Sequence, residues 1–172
     1  MFSQTVWVGI IVGIFLAVIG IAMFGATLTS DSADYDIIDV DEQSFYSNMI
    51  KLDDVLIDVQ IADTDVKRNR GLMFEEQMPY DQGTLFIYEE SGNYSFWMYN
   101  MQFALDIIWF DDKGNVVHIK QDVPPCATEP EYCTVYDPGV DAFYVFETTA
   151  GFVDKFGITE DSKFFWIVEN TI

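Results

Sequence analysis

A β-hairpin is predicted for residues 105–120, which read LDIIWFDDKGNVVHIK. Two strand-like runs, Leu105–Phe110 and Asn115–Lys120, flank the turn DDKG, where Gly114 can take a left-handed backbone conformation without steric cost. Upstream, apolar side chains at positions 55, 57, 59 and 61 alternate with Asp58 and Gln60. This period of two is typical of a strand that buries one face.

Further strands are predicted on both sides of the hairpin, at Thr84–Tyr88, Tyr94–Tyr99, Ala142–Thr148 and Lys163–Glu169. Two short helices complete the pattern. The first begins at Asp63 or Thr64 and ends at Gly71, and the second covers Ala150–Phe156 and ends at Gly157. Short strands separated by turn signals predict an all-β domain, either an antiparallel sandwich, jelly-roll-like, or a barrel, with one or two short helices.

A membrane anchor is predicted near the N-terminus. Val6–Leu28 is a run of 23 residues without a charge, and the first charged side chain is Asp31. As a helix the run would be about 35 Å long, enough to cross a hydrocarbon core of about 30 Å. A cleaved signal peptide is the alternative, but its apolar region should be shorter and follow basic residues, which Met1–Thr5 lacks. We therefore predict an anchor at 1–28, an acidic spacer at 29–47 and a β-rich domain at 48–172.

The predicted topology places the N-terminus in the cytoplasm and the domain outside the cell membrane. The five-residue tail before the anchor is short, and the two cysteines suit an oxidising compartment. Neither flank carries the lysines and arginines that set orientation under the positive-inside rule. Gly9 and Gly13 form a GxxxG pair, so a weak homodimer through the anchor is a further expectation.

The charge balance excludes some partners. With 29 acidic and 8 basic residues the formal net charge is −21, and nucleic acid is excluded because its binding needs a basic face. Anionic lipid headgroups are excluded for the same reason, so the lipid bilayer is expected to contact the anchor alone. The acidic surface is either a solvated face that keeps the domain soluble or a surface that binds cations.

Several segments resemble the domain-of-unknown-function 192 family, and they occur in the family's order. They are RGLM at 70–73, GTLF at 83–86, FWMYN at 96–100, LDIIWFD at 105–111, GNVV at 114–117, PC at 125–126, YVFE at 144–147 and AG at 150–151. The resemblance runs from about residue 55 to 167 and implies a β-sandwich or jelly-roll-like fold, often exported, with no settled activity. The sequence departs from the family pattern at Glu75 and Glu76, where a basic residue is usual, and at Met101, where Thr is usual. If these positions line a site, the resemblance implies a ligand of different charge.

Cys126 and Cys133 are the only cysteines, and they lie seven residues apart in a proline-containing loop. Outside the cytoplasm they are expected to form a disulfide that closes a small loop, worth about 2.5 kcal/mol by chain entropy. A metal-binding thiol pair is the alternative, although two thiols without a nearby histidine make an incomplete zinc site.

Candidate ligand-binding residues surround the run FWMY at 96–99, which is apolar on both faces. One interpretation is a central strand covered on both sides. The other is the aromatic wall of a small-molecule pocket with a few polar groups that orient the ligand, and its residues are Trp97, Tyr99, Asn100, Asp106 and Arg70. Methionines at 73, 78, 98 and 101 are candidate copper ligands, but methionine more often fills cores. We predict no metal site and no cofactor.

The leading functional hypothesis is a non-enzymatic, membrane-tethered module that binds an unknown protein or a small molecule. It rests on a missing catalytic set, because the sole histidine, His118, is expected on an exposed strand face and no GxSxG elbow accompanies it. The alternative is an enzyme in which Asp106 in a cleft acts as general acid or base while Arg70 holds a small polar or anionic substrate. A structural salt bridge explains a buried Asp106 equally well.

Overall fold

The computed structural model describes residues 44–167, which form a curled seven-stranded sheet with two short helices and a small second sheet. The strands of the large sheet are β1 (Ser47–Leu52), β2 (Val55–Ala62), β3 (Gln82–Gly92), β5 (Leu105–Phe110), β6 (Val116–Val123), β8 (Ala142–Thr149) and β9 (Phe164–Trp166). The small sheet pairs β4 (Phe96–Trp97) with β7 (Val135–Tyr136), and the helices are α1 (Asp65–Arg70) and α2 (Phe152–Phe156). Pro130–Tyr132 forms a single 3-10 turn. The predicted all-β class with short helices is confirmed at this level.

The anchor predicted for Val6–Leu28, with its Gly9–Gly13 pair, lies outside the described residues, as does most of the predicted spacer. Among residues 44–167, no helix is both long enough and apolar enough to cross a membrane. The membrane topology therefore stays a prediction from the sequence.

One pair of strands corrects the prediction of a purely antiparallel sheet. The strand order is β6-β5-β8-β3-β2-β1-β9, and β2 and β3 run parallel with Gln60 opposite Thr84. The other neighbouring strands of the described sheet are antiparallel. Parallel neighbours need a crossover connection, and α1 with the loop after it supplies one. Thr64 caps this helix by accepting a hydrogen bond from Lys67 N at 3.3 Å.

The two edges of the large sheet meet at one end, so the sheet closes into a barrel there. The Val116 N–H beside β6 donates to Ser162 O at 3.0 Å, and the Phe164 N–H of β9 donates to Gly114 O at 2.9 Å. Gly114 has φ +79°, and a Cβ at this position would lie 2.5 Å from Phe164 O. The glycine of the hairpin turn therefore also lets the last strand approach the first residues of β6.

Two apolar cores lie on opposite faces of the sheet, because successive side chains of a strand point to opposite sides. The inner core is filled by buried side chains that include Ile57, Val59, Ile61, Phe110, Phe146 and Phe152. The outer core lies beneath the segment after α1 and the small sheet, and it includes Leu72, Phe86, Phe96, Met98, Trp109 and Val145. The alternation predicted for residues 55–61 is confirmed, since its apolar positions face the inner core.

The run FWMY at 96–99 is not a central strand. Only Phe96 and Trp97 form β4, and β4 pairs with β7 alone. Phe96 and Met98 are buried in the outer core, whereas Trp97 is 41% exposed and Tyr99 is half-buried. The interpretation as a strand covered on both faces is wrong, because one of its faces is open.

Two strands, β1 and β7, were not predicted from the sequence. β1 has only two buried apolar positions, Ile50 and Leu52, and β7 is two residues long, so neither shows enough alternation to be recognised. β1 lies between β2 and β9. Beyond β9, the Ile167 N–H donates to Met49 O at 3.0 Å. The first and last strands of the described domain are therefore neighbours.

Candidate ligand-binding groove

A groove opens between α1 and the small sheet, and we name it the α1–β4 groove. Its outer part has a volume of about 470 Å³ and is lined by residues that include Asp65, Arg68, Tyr88, Ser95, Phe96 and Trp97. A recess of about 30 Å³ shares Arg68, Phe96 and Trp97 with the outer part. The further lining of the recess includes Arg70, Gly71, Phe86, Met101 and Glu147. Small-molecule sites usually measure about 300–1,000 Å³. The outer part is therefore large enough for a ligand, and the recess for one small chemical group.

Glu147 is the buried acid of the recess. It lies on β8, which has β3 on one side and β5 on the other, and it is only 4% exposed. Burial raises the pKa of its carboxyl to about 8. Within residues 44–167, no hydrogen-bond donor reaches this carboxyl, and burial alone acts on its pKa. Because buried carboxyls normally have a donor or a charged partner, Glu147 has hydrogen-bonding capacity that a ligand or water can satisfy.

Gly71 makes room for this carboxyl. It follows α1 with φ +46°, and its N–H donates to Lys67 O. A Cβ at this position would lie 3.1 Å from Phe86 Cζ and 3.4 Å from Glu147 Oε2. The glycine thus combines a backbone conformation that other residues rarely adopt with a close approach to the acid. A larger residue there would narrow the recess.

The two arginines of the groove already have partners. The Arg68 guanidinium donates to two backbone carbonyls, each at 2.8 Å, and to Asp65 Oδ1 at 2.6 Å. Arg70 donates to Glu75 Oε1 at 2.9 Å. Each of these cations is balanced by a carboxylate of its own, and none of these bonds links it to Glu147.

Aromatic rings form much of the remaining wall. Arg68 lies over the Tyr88 ring, 5.2 Å from its centroid, and the Tyr94 ring stacks on the same Tyr88 ring with 3.4 Å between centroids. Burial raises the pKa of Tyr88 above its usual value, against a smaller opposing effect of Arg68 and with a small contribution from Glu147. The Trp97 ring is tilted against Tyr99, with 5.4 Å between centroids. The outer groove therefore offers flat apolar surfaces beside polar groups.

Two of the predicted site residues come together in the recess, namely Arg70 and Trp97. Tyr99 supports the tryptophan as its ring neighbour. Asn100 has φ +59°, and its backbone carbonyl accepts a hydrogen bond from Phe74 N at 3.0 Å. Asn100 therefore supports the loop that follows α1.

Asp106 is not paired with Arg70 and does not line the α1–β4 groove, which corrects the prediction that the two share a cleft. It is 1% exposed. Its Oδ1 accepts from Asp122 N at 2.9 Å, and its Oδ2 accepts from Gly151 N at 3.0 Å and Val153 N at 2.9 Å. These last two N–H groups belong to the first turn of α2 and to its N-cap residue, Gly151. Because Gly151 has no side chain, it cannot cap the helix itself. Asp106 therefore caps α2 from β5, and both of its oxygens are occupied.

The disulfide predicted between Cys126 and Cys133 is present, with 5.6 Å between the two Cα atoms. The Cys126 N–H donates to Met98 O at 2.9 Å, and Cys126 also forms an isolated bridge with Tyr99. The closed loop leads directly into β7, which pairs with β4. The disulfide thus holds the backbone around Trp97 and fixes one wall of the groove.

Comparison with known proteins identifies the family of this chain. The family model of DUF192, described as Uncharacterized ACR, matches residues 48–166. The chain belongs to the DUF192 family. A UPF0127 protein from Thermococcus sibiricus is 32% identical over 111 residues, which cover 64% of this chain and 67% of that protein. A UPF0127 protein from Thermococcus gammatolerans is 29% identical over 110 residues, with the same two coverages.

Two solved structures share the fold of this DUF192 chain. A candidate transcription regulator from Sinorhizobium meliloti 1021 is 25% identical with a TM-score of 0.65, and the match covers 72% of this chain and 95% of that one. A protein of unknown function from Novosphingobium aromaticivorans DSM 12444 is 22% identical with a TM-score of 0.62, covering 71% and 85%. These likenesses support the fold.

The acid in the groove of this DUF192 domain is one that the sequence prediction missed. Glu147 is the only charged residue of the predicted strand Ala142–Thr148, and a lone charge in a central strand is a signal that could have found it. Asp106 carries the same signal within LDII. The surroundings of the two acids differ, because α2 brings N–H groups to Asp106, whereas no element of residues 44–167 brings a donor to Glu147.

The other chemical candidates have packing roles in the described domain. Within residues 44–167, no group of three or more histidine, cysteine, aspartate or glutamate side chains could hold a metal ion. Met98 and Met101 are buried in the outer core, where methionine fills space. His118 is half-buried rather than exposed as predicted, since its ring lies 5.3 Å from the Trp109 ring.

Proposed function

We propose that this DUF192 chain is a membrane-tethered, extracytoplasmic module that binds a small molecule in the α1–β4 groove. The observation that carries the proposal is Glu147, a carboxyl 4% exposed that lines the recess and meets no donor within residues 44–167. Burying such a group without a hydrogen bond costs free energy. Perturbed, buried acids beside a cleft are typical of functional sites.

The rest of the groove supports ligand binding. Trp97 is 41% exposed although it lies next to the outer core, and exposed aromatic surface beside a few polar groups is the usual lining of a small-molecule site. The wall that carries it is fixed by the Cys126–Cys133 disulfide. Little reorganisation is therefore needed when a ligand enters, which favours affinity.

Membrane tethering and an external domain are proposed from two features of the chain. Val6–Leu28 is long enough to span a bilayer as a helix, and disulfides such as Cys126–Cys133 persist in oxidising compartments. Protease treatment of intact cells tests the proposal. We expect digestion of the domain while a cytoplasmic protein survives, and protection of the domain until the membrane is broken would contradict it.

A thermal-shift screen of the full-length chain tests ligand binding in the groove. A compound that binds the folded state raises the midpoint of unfolding, which tryptophan fluorescence reports. Trp97→Ala should abolish the shift, because it removes one wall of the groove. Trp166→Ala is the matched control, since Trp166 is 37% exposed on β9 and does not line this groove. Equal loss of the shift in both variants, or no shift with any compound, would contradict the proposal.

A further inference from the structure

We propose that the ligand of the α1–β4 groove is an organic cation whose primary ammonium group enters the recess and binds the Glu147 carboxylate, while the body of the molecule packs on Trp97. This inference rests on the proposed function and names the chemical class of the ligand.

The buried Glu147 carboxyl needs hydrogen-bond donors, and the described domain gives it none. Asp106 on the adjacent strand β5 is equally buried, yet three backbone N–H groups bond its two oxygens. Glu147 meets no donor within residues 44–167. An ammonium group brings three N–H donors and a positive charge, which are what a buried carboxylate requires. Hydrogen bonds between charged groups are also the stronger ones.

Among the described residues, both arginines that line the groove already have a carboxylate partner. Arg68 is held by Asp65 at 2.6 Å and Arg70 by Glu75 at 2.9 Å. The charge of each arginine is therefore already balanced by a carboxylate, and a carboxylate or phosphate ligand would in addition face Glu147. The net charge of −21 also attracts cations and repels anions at long range.

The size and lining of the groove also suit an organic ammonium ion. The recess has a volume of about 30 Å³, and a cavity needs only about 10–15 Å³ to hold a water molecule. A primary ammonium, which is close to water in size, fits such a space and brings its N–H donors to Glu147. The exposed aromatic face of Trp97 suits an apolar body and attracts a neighbouring positive charge. A metal ion is not the cation, because within residues 44–167 no group of three or more histidine, cysteine, aspartate or glutamate side chains could hold one.

Binding should depend on pH, because the carboxyl must be ionised to receive the ammonium group and burial raises its pKa to about 8. The elements around it bring Asp65, Arg68 and Arg70 from α1 and Tyr88 from β3, while β4 contributes uncharged side chains and β5 places Ile107 opposite Glu147. The α1 charges are already paired, and burial keeps the Tyr88 phenol neutral. Affinity for an amine should therefore rise by roughly tenfold per pH unit up to about pH 8.

Titration calorimetry on the full-length chain compares three probes that share a phenyl ring and differ in the polar group. They are phenethylamine, 2-phenylethanol and 3-phenylpropanoate. We expect the amine to bind most tightly, the alcohol more weakly and the carboxylate least. Glu147→Gln keeps the shape of the side chain and removes its charge, so it should weaken amine binding by about 10-fold or more and leave the alcohol unchanged. Glu131→Gln is the control, because Glu131 is exposed and lies outside the groove.

The outcomes separate this inference from the proposed function. Preference for the carboxylate, or amine binding that Glu147→Gln leaves intact, would overturn the ammonium ligand while a Trp97→Ala effect would still support a groove site. If Trp97→Ala changes the binding of none of the three probes, both proposals fail. Weaker amine binding at pH 8 than at pH 6 would also overturn the role of Glu147. The midpoint of unfolding of each variant, measured without ligand, establishes that it is folded.

Discussion

Asp106 and Glu147 lie on adjacent strands, and both are almost completely buried, yet their chemistry differs. The carboxylate of Asp106 bonds three backbone N–H groups, two of them at the start of α2. Glu147 faces a recess instead. At the scale of single residues, the distinction between a structural acid and a functional one depends on which donors the neighbouring elements supply.

Asp106→Asn tests the structural role of the first acid. An amide presents one oxygen where the carboxylate presents two, and its NH₂ group would face a backbone N–H, so we expect the free energy of unfolding to fall by about 3 kcal/mol. Urea unfolding followed by tryptophan fluorescence measures the loss. Asp112→Asn, at an exposed position of the hairpin turn, should change stability by less than about 0.5 kcal/mol. Equal stability of the two variants would refute the capping role.

Glu147→Gln should change how stability depends on pH. The pKa of Glu147 is about 8 in the folded protein, against an ordinary value of 4.5, so the folded state holds more protons between these two values. Its contribution is therefore fully present below about pH 4.5 and is lost as pH rises to about 8, by at most about 5 kcal/mol. The variant lacks this loss, so its stability relative to the native protein should be greater at pH 8 than at pH 5 in urea unfolding. A difference that stays constant with pH would show that Glu147 is not a protonated buried acid.

At the scale of elements, the small sheet depends on the loop that follows β6. β4 and β7 are two residues each and, among the strands of residues 44–167, pair only with each other. So short a pair has little stability of its own. The disulfide closes the loop that enters β7. Covalent closure therefore compensates for the shortness of the strands that carry Trp97.

Replacement of Cys126 and Cys133 by alanine together should lower the free energy of unfolding by about 2.5 kcal/mol, the chain-entropy value for so short a loop. It should also raise hydrogen exchange around Trp97, because the backbone there is bonded to Cys126. Hydrogen-exchange mass spectrometry of the full chain measures the second effect. Reduction of the native disulfide should reproduce both changes. If hydrogen exchange rose only in β1, the disulfide would not be what holds the backbone around Trp97.

At the scale of the whole molecule, closure of the barrel rests on few contacts between β6 and β9. Gly114→Ala places a Cβ that would lie 2.5 Å from Phe164 O, so the strands must separate. Gly139→Ala is a matched control, since Gly139 has a similar φ of +70° but a Cβ there would meet no atom of the described residues within 4 Å, apart from its chain neighbours. We expect the control to lose about 1–2 kcal/mol from the left-handed conformation alone and Gly114→Ala to lose clearly more. Urea unfolding compares the two, and equal losses would mean that the contact does not matter.

The fold is predictable from sequence where a pattern is local. Residues 55–61 and the hairpin at 105–120 were recoverable because alternation and a glycine turn suffice to identify a strand or a hairpin. The parallel pairing of β2 with β3 depends on a crossover through α1, which alternation does not encode. The groove is harder still. Trp97 and Arg70 were predicted from their residue types. Asp106 was predicted as the acid of the site, but Glu147 lines the groove and Asp106 caps α2. The sequence does not show this difference, because α2 is far from Asp106 along the chain and near it only in the fold.

The adjacency of β1 and β9 has a consequence for protein engineering. Since Ile167 N bonds Met49 O, a linker of a few residues could join the two ends of the described domain, and new ends could be opened at an exposed glycine such as Gly157. Domains whose ends lie close together usually tolerate such circular permutation. The same geometry makes this DUF192 domain suitable for insertion into a loop of another protein. Because its two ends lie close together, the host residues on either side of the insertion would not have to move apart.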